Sequence, residues 1–286
     1  MNWNSTKTLL LVLLVAVNLL LGVYVFNHFK DNYFVGEDVA AEASEILGKS
    51  NISVDASLLS GFNEDGDILL CSYERESYVS LVAALLLGKE ADGMYMLPSG
   101  VRAETFEGEA ATVGYDMSVS FVSSGIPNPE ETIEKAVATG ISDCKTEQKA
   151  LERILALPSG SLDGAECKKS DEYVFITVNQ AENGIPLYGM TCIFGMQGEK
   201  IVYAEGKHLF CIPNEKLDTP ILDRINIMFS EKSRGVEGKV ESITFCYTLY
   251  ESSAEKTVML IPSYAVKYAD GTMHAVNAVS KELYQN

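Results

Sequence analysis

Positive charge is in short supply in this sequence. Its 286 residues carry 22 Lys and Arg against 40 Asp and Glu, a formal net charge of −18. A surface of that sign repels phosphate backbones and anionic headgroups at long range, which argues against nucleic acid as a partner. It also keeps a protein soluble, which needs no partner at all. Histidine is scarce as well, at His28, His208 and His274. The six cysteines, at 71, 144, 167, 192, 211 and 246, form no C-x-x-C pair, and three histidines do not complete a zinc pattern with them. There is no G-x-S-x-G, no P-loop and no G-x-G-x-x-G. These gaps remove the common hydrolase and nucleotide-binding signatures, and no metal or cofactor is implied. Ser142 and Lys145 make an S-x-x-K without any supporting motif. Asp65 and Asp67 flank Gly66, but the remaining ligands of a calcium loop are missing. The expectation is a protein that is not an enzyme.

What is present divides at about residue 30. Residues 1–30 contain no Asp or Glu, and Lys7 and Lys30 are their only charged side chains apart from His28. Leu9 to Phe26 is an uncharged run broken by Asn18 and Gly22. At 1.5 Å per residue it spans roughly 27 Å as a helix, close to the thickness of a bilayer core. The expectation is a transmembrane helix over 8–28 behind a cytoplasmic tail, 1–7. A cleavable signal peptide is the rival reading, but no A-x-A-like triplet follows the run. Lys7 before the run, and Lys30 offset by Asp31 after it, orient the N-terminus to the cytoplasm and the acidic body outside. Localisation at the cell membrane as a single-pass protein follows. Trp3, the only tryptophan, suits the headgroup level. Asn18 and Gly22 lie one turn apart on one face, where a carboxamide can bond a neighbouring helix and a glycine lets it approach. Asn18 can equally be a polar residue tolerated in a lone anchor.

In the body, Val39, Ala40, Ala43, Ile46 and Leu47 follow a helical period within 33–49. Strand-like runs such as ILLCSYE and YDMSVSFV surround an apolar segment at 78–88. PNPEETIEKAV at 127–137 reads as a helix start, with Asn128 as cap and Pro129 in the first turn. The second half has a faint repeat. LERI at 151–154 returns as LDRI at 222–225, and IPLY at 185–188 as IPSY at 261–264. Turn signals stand at ENG 182–184, QGE 197–199 and ADG 269–271. The fold class expected is α+β: a single N-terminal transmembrane helix followed by helix-plus-antiparallel-sheet units. The regions are a first extracytoplasmic α+β region at 29–140 and helix-plus-meander repeats at 141–215 and 216–286. The cysteines are either disulfide partners or buried thiols acting as small hydrophobes.

The opening MNWNSTKT, followed by an apolar run with Asn and Gly near its end, resembles the start of YycI-type (WalI) regulatory proteins. The closing IPSYAVKYADGTMHAVNAVSKELY is similar to their C-terminal strands and to PepSY-type repeats. The resemblance implies a membrane-anchored regulator of a two-component system governing cell-wall metabolism. Its partners would be the transmembrane helices of a YycG-like sensor histidine kinase and a YycH-like co-regulator. Carried over residue by residue, it covers Trp3, Lys7, Asn18 and Gly22 as partner-binding positions and no catalytic residue. The second reading is an anchored PepSY-like envelope binding module that engages a protease, a peptide or a wall component. An anchored hydrolase is the third.

Overall fold

The computed structural model describes residues 14, 17–21, 34–72, 75–88, 91–105, 108–114, 116–141, 144, 147–155, 165–170, 172–209, 213–252 and 257–279. In chain order its elements begin with β1 (Phe34–Val35), α1 (Glu37–Gly48), β2 (Ile52–Ser53), α2 (Ala56–Leu59), β3 (Gly61–Phe62), β4 (Ile68–Ser72) and α3 (Arg75–Leu87). There follow β5 (Gly93–Leu97), β6 (Gly100–Glu104), β7 (Ala110–Gly114), β8 (Ser118–Val122), α4 (Pro129–Lys135), β9 (Val137–Thr139) and α5 (Gln148–Leu155). The remainder is β10 (Glu166–Ser170), β11 (Tyr173–Glu182), β12 (Ile185–Gln197), β13 (Lys200–Lys207), β14 (Glu215–Leu217), α6 (Arg224–Ser233), β15 (Gly238–Ser252), β16 (Thr257–Tyr268) and β17 (Met273–Asn277).

Two expectations are corrected. The fold is mostly β, with one large mixed sheet, and not an α+β array led by a transmembrane helix. Period-two apolar patterning over most of the body outweighs its short helical stretches. Among the described residues no helix is long and apolar enough to cross a membrane, so single-pass membrane localisation is not supported. Within 8–28 the described residues are 14 and 17–21, which are helical and exposed.

The chain divides into two compact units. Unit 1 comprises Met1–Asp65, Pro220–Thr244 and Tyr264–Asn286. In it β1 and β3 pair antiparallel, with Phe34 opposite Phe62 and their rings edge-on at 5.1 Å. Helix α1 buries Ala40, Ala43 and Leu47 and packs on α6, while Val39, expected on the same face, is exposed. Helix α6 starts at Asp223, whose carboxylate accepts from the Asn226 N–H at 2.7 Å. Its Glu231 is buried and accepts from the Tyr268 hydroxyl at 3.1 Å and from the Arg234 guanidinium at 3.3 Å. Strand β2 runs parallel to the start of β15, with Ile52 opposite Gly238.

Unit 2 comprises Gly66–Thr219 and Phe245–Ser263. Nine strands form an antiparallel path in the order β9-β10-β11-β12-β13-β8-β7-β6-β5. The β11–β12 hairpin turns at Asn183 and Gly184, both at positive φ, a pairing that the twist of antiparallel strands favours. Alternation divides the path into two faces. Val174 and Ile176 join a core with Val82, Ala83 and Leu86 of α3 and Ala150 and Ile154 of α5. Phe175, between them, packs on the other side with Ile126, Val202 and Tyr203, against Ile133 of α4. Strands β14, β4 and the first half of β16 add an antiparallel set, and Leu187 of β12 bridges in parallel to Tyr247 of β15.

The repeated tetrapeptides occupy different places in their elements. Arg153 lies in the last turn of α5, whereas Arg224 is the first residue of α6. Pro186 is the second residue of β12 and Pro262 the sixth of β16.

Candidate functional sites

One cleft in unit 2 holds about 500 Å3. It forms where α3 ends at Leu87 and Gly88, where the chain leaves β8 at Ser123–Gly125, and beside the β12–β13 turn at Gln197 and Lys200. Helix α5 contributes Arg153 from its last turn. The Arg153 guanidinium donates to the Glu199 carbonyl at 2.6 Å, and Lys149, one turn earlier, pairs with the Glu199 carboxylate at 2.7 Å. These two contacts fix α5 to the turn and aim Arg153 along the cleft wall. Opposite, Glu109 accepts from the Ser123 hydroxyl at 2.9 Å. The cleft thus offers two cations, Arg153 and Lys200, one carboxylate, and the hydroxyl and amide groups of Ser123, Ser124 and Gln197. A locally cationic cleft in so acidic a chain favours a ligand carrying a carboxylate or another anion.

A second, acidic hollow of about 420 Å3 is lined by Glu130, Glu131, Tyr203 and Glu205. The Tyr203 hydroxyl donates to Glu205. Burial first, and then the Glu205 bond and the charges of Glu205 and Glu130, push the Tyr203 phenol well above its usual range. It therefore stays protonated at neutral pH and cannot serve there as a phenolate.

Two further reactive side chains are similarly silenced. His208 is buried, and burial pushes its pKa down to about 3, so at neutral pH its ring is uncharged. Gln180 donates to the Leu209 carbonyl at 2.7 Å and accepts from the Leu209 N–H at 2.6 Å. Its second amide hydrogen faces His208 Nε2 at 3.2 Å, so that nitrogen accepts and the ring proton is assigned to Nδ1. Burial also pushes the Cys192 thiol up to about 12. His274 is exposed, with its ring edge-on to Tyr268 at 5.7 Å. Among the described residues no group of three His, Cys, Asp or Glu could hold a metal ion.

The third feature is a sheet edge. Strand β5 ends the nine-strand path and pairs with β6 alone among the described residues. Met94, Tyr95 and Met96 are 46%, 54% and 73% exposed. Three large apolar side chains in succession, on a strand whose other edge meets no strand among the described residues, invite an added strand.

Of the residues expected to bind a partner, Asn18 is described and exposed, while Trp3, Lys7 and Gly22 lie outside the described residues, as do Ser142, Lys145 and Cys211. Asn128 precedes α4 as expected, but in a left-handed conformation and without a side-chain cap bond. The sequence reading singled out neither the cleft nor β5. Cleft residues are scattered from 86 to 202, and no spacing rule links them. GMYML did carry a signal, a short apolar run that does not alternate. No family model matches the chain, and no curated protein matches it either.

Proposed function

We propose that this chain is a non-enzymatic regulator that acts by binding another protein, and that β5 is the strand it offers. One observation carries the reading: the exposed Met94-Tyr95-Met96 run on the open edge of unit 2. An extended partner segment would gain main-chain hydrogen bonds there and cover the three side chains. The neutral states of His208, Tyr203 and Cys192 support a binding role over acid–base or nucleophilic chemistry at those residues. The partner class follows from the likeness of both chain ends to YycI-type regulators: a sensor histidine kinase together with a YycH-like co-regulator. The test is co-purification with that kinase at matched expression. Burying one methionine is worth about 1.5–3 kcal/mol, so Met96→Asp costs roughly tenfold or more in affinity. Undiminished association in a Tyr95→Asp/Met96→Asp double variant would refute the assignment of β5.

The cleft supports a second reading, a binding module for a protease, peptide or wall component. Arg153 and Lys200 would hold an anionic group of the ligand. Here Arg153→Ala, and not Met96→Asp, abolishes binding. Retention of a peptide ligand by Arg153→Ala/Lys200→Ala would rule this reading out.

A further inference from the structure

Cys144 and Cys167 are 23 residues apart in the chain, and their sulfurs lie 3.4 Å apart. Both belong to the main core of unit 2 and are 5% exposed. Cys167 is held in β10, between Thr139 of β9 and Ile176 of β11. The Cys144 N–H donates to the Ile141 carbonyl at 3.1 Å, and Cys144 lies outside any helix or strand. Only a small shift at Cys144 would bring the sulfurs from contact at 3.4 Å to bonding distance. Cys192, by contrast, sits inside β12, its strand paired on both sides and its thiol silenced by burial.

We propose that Cys144 and Cys167 form a covalent modification site, a dithiol that closes to a disulfide and clips the segment carrying α5 onto β10. The oxidant is a small-molecule disulfide, R′S–SR′. One cysteine thiolate attacks it, forming a mixed disulfide and expelling R′S−. The second thiolate attacks the cysteine sulfur of that mixed disulfide, forming the Cys144–Cys167 bond and expelling the other R′S−. Two protein thiols lose two electrons, the small disulfide gains them, and the two thiol protons end on two R′SH. The loop so closed contains α5, and with it Arg153 at the cleft. The clip therefore removes freedom from the unfolded chain and tethers one cleft wall.

The test uses the full chain equilibrated with oxidised glutathione or with dithiothreitol, then alkylated, digested with trypsin and read by mass spectrometry. The oxidised sample yields peptide 136–145 joined to peptide 154–168. The link is absent after dithiothreitol and in Cys144→Ser and Cys167→Ser. Oxidation raises the melting temperature of the wild-type chain by roughly 5–10 °C, as expected for a loop of this length in a chain of this size. Neither serine variant shows that redox-dependent rise. Full alkylation of both cysteines in the oxidised sample would overturn the proposal. So would linkage of Cys144 chiefly to another cysteine, or a glutathione adduct that persists on either one.

Discussion

Lowering the pH should destabilise unit 2 through His208. In the folded chain the ring is buried and its pKa is held at about 3, whereas in the unfolded chain it returns to its ordinary value near 6.5. The folded pKa is the depressed one, so folding favours the neutral ring. The associated stability is fully present above about pH 6.5 and is lost as the pH falls from there toward 3. At pH 5 the folded ring is still neutral, so the loss is set by the unfolded chain alone. It comes to about 2 kcal/mol relative to pH 7.5. Protonation would also turn Nε2 into a donor facing the Gln180 amide, which already donates to the Leu209 carbonyl. The assay is urea unfolding followed by far-ultraviolet circular dichroism at pH 7.5, 6.0 and 5.0, on the wild type and on His208→Gln. The variant starts less stable, because it loses the edge-on packing against Phe194 at 6.2 Å. Its stability should nonetheless fall about 2 kcal/mol less between pH 7.5 and 5.0 than that of the wild type. Parallel pH dependences would refute the reasoning, because they would mean that His208 does not titrate differently on folding.

Further outcomes are expected elsewhere in the fold. Asp223→Ala removes the side-chain cap of α6 and should cost about 1 kcal/mol, roughly 2–4 °C in Tm; an unchanged Tm would contradict it. Tyr268→Phe withdraws a hydrogen bond from buried Glu231 and should cost about 1.5–3 kcal/mol in urea unfolding, more than an exposed tyrosine such as Tyr95. Gly206 has φ +135°, and a Cβ there would lie 2.2 Å from the Thr191 carbonyl oxygen. Gly206→Ala should therefore open the β12–β13 pairing and be detected as raised proteolysis of unit 2; a protection pattern equal to that of the wild type would show that the strand yields freely.

The parts of the fold that were legible in the sequence were those written locally. The hairpin turns at ENG, QGE and ADG, the helix at 37–48 and the helix opened by Pro129 follow from backbone preferences of a few adjacent residues. Longer-range inferences fared differently. Leu9 to Phe26 satisfies a composition rule for a membrane span, whereas among the described residues no helix is long and apolar enough to be one. LERI and LDRI look alike because both supply an amphipathic turn, yet one closes a helix and the other opens one just after its Asp223 cap. The sites were least visible. Glu109 meets Ser123, and Arg153 meets Glu199, through strand pairings and helix packing that no window of sequence records. Cys144 and Cys167 carried no spacing signal, and only the fold brings their sulfurs together.

The composition of the two units bears on how the chain can be made. Unit 1 draws on Met1–Asp65, Pro220–Thr244 and Tyr264–Asn286, segments far apart in the order of synthesis. Its first 65 residues leave the ribosome long before their C-terminal partners. At about 5–20 residues per second, the interval is on the order of 10–40 s. During that time Ala40, Ala43 and Leu47 of α1 have no α6 to cover them, and Ile52 has no β15. Unit 2 is likewise incomplete until Phe245–Ser263 has been synthesised. A nascent chain halted near residue 240 would thus expose apolar surface from both units at once. Shortening the C-terminus before Tyr264 should be as damaging as deleting the helix at 37–48, although the two segments lie more than two hundred residues apart.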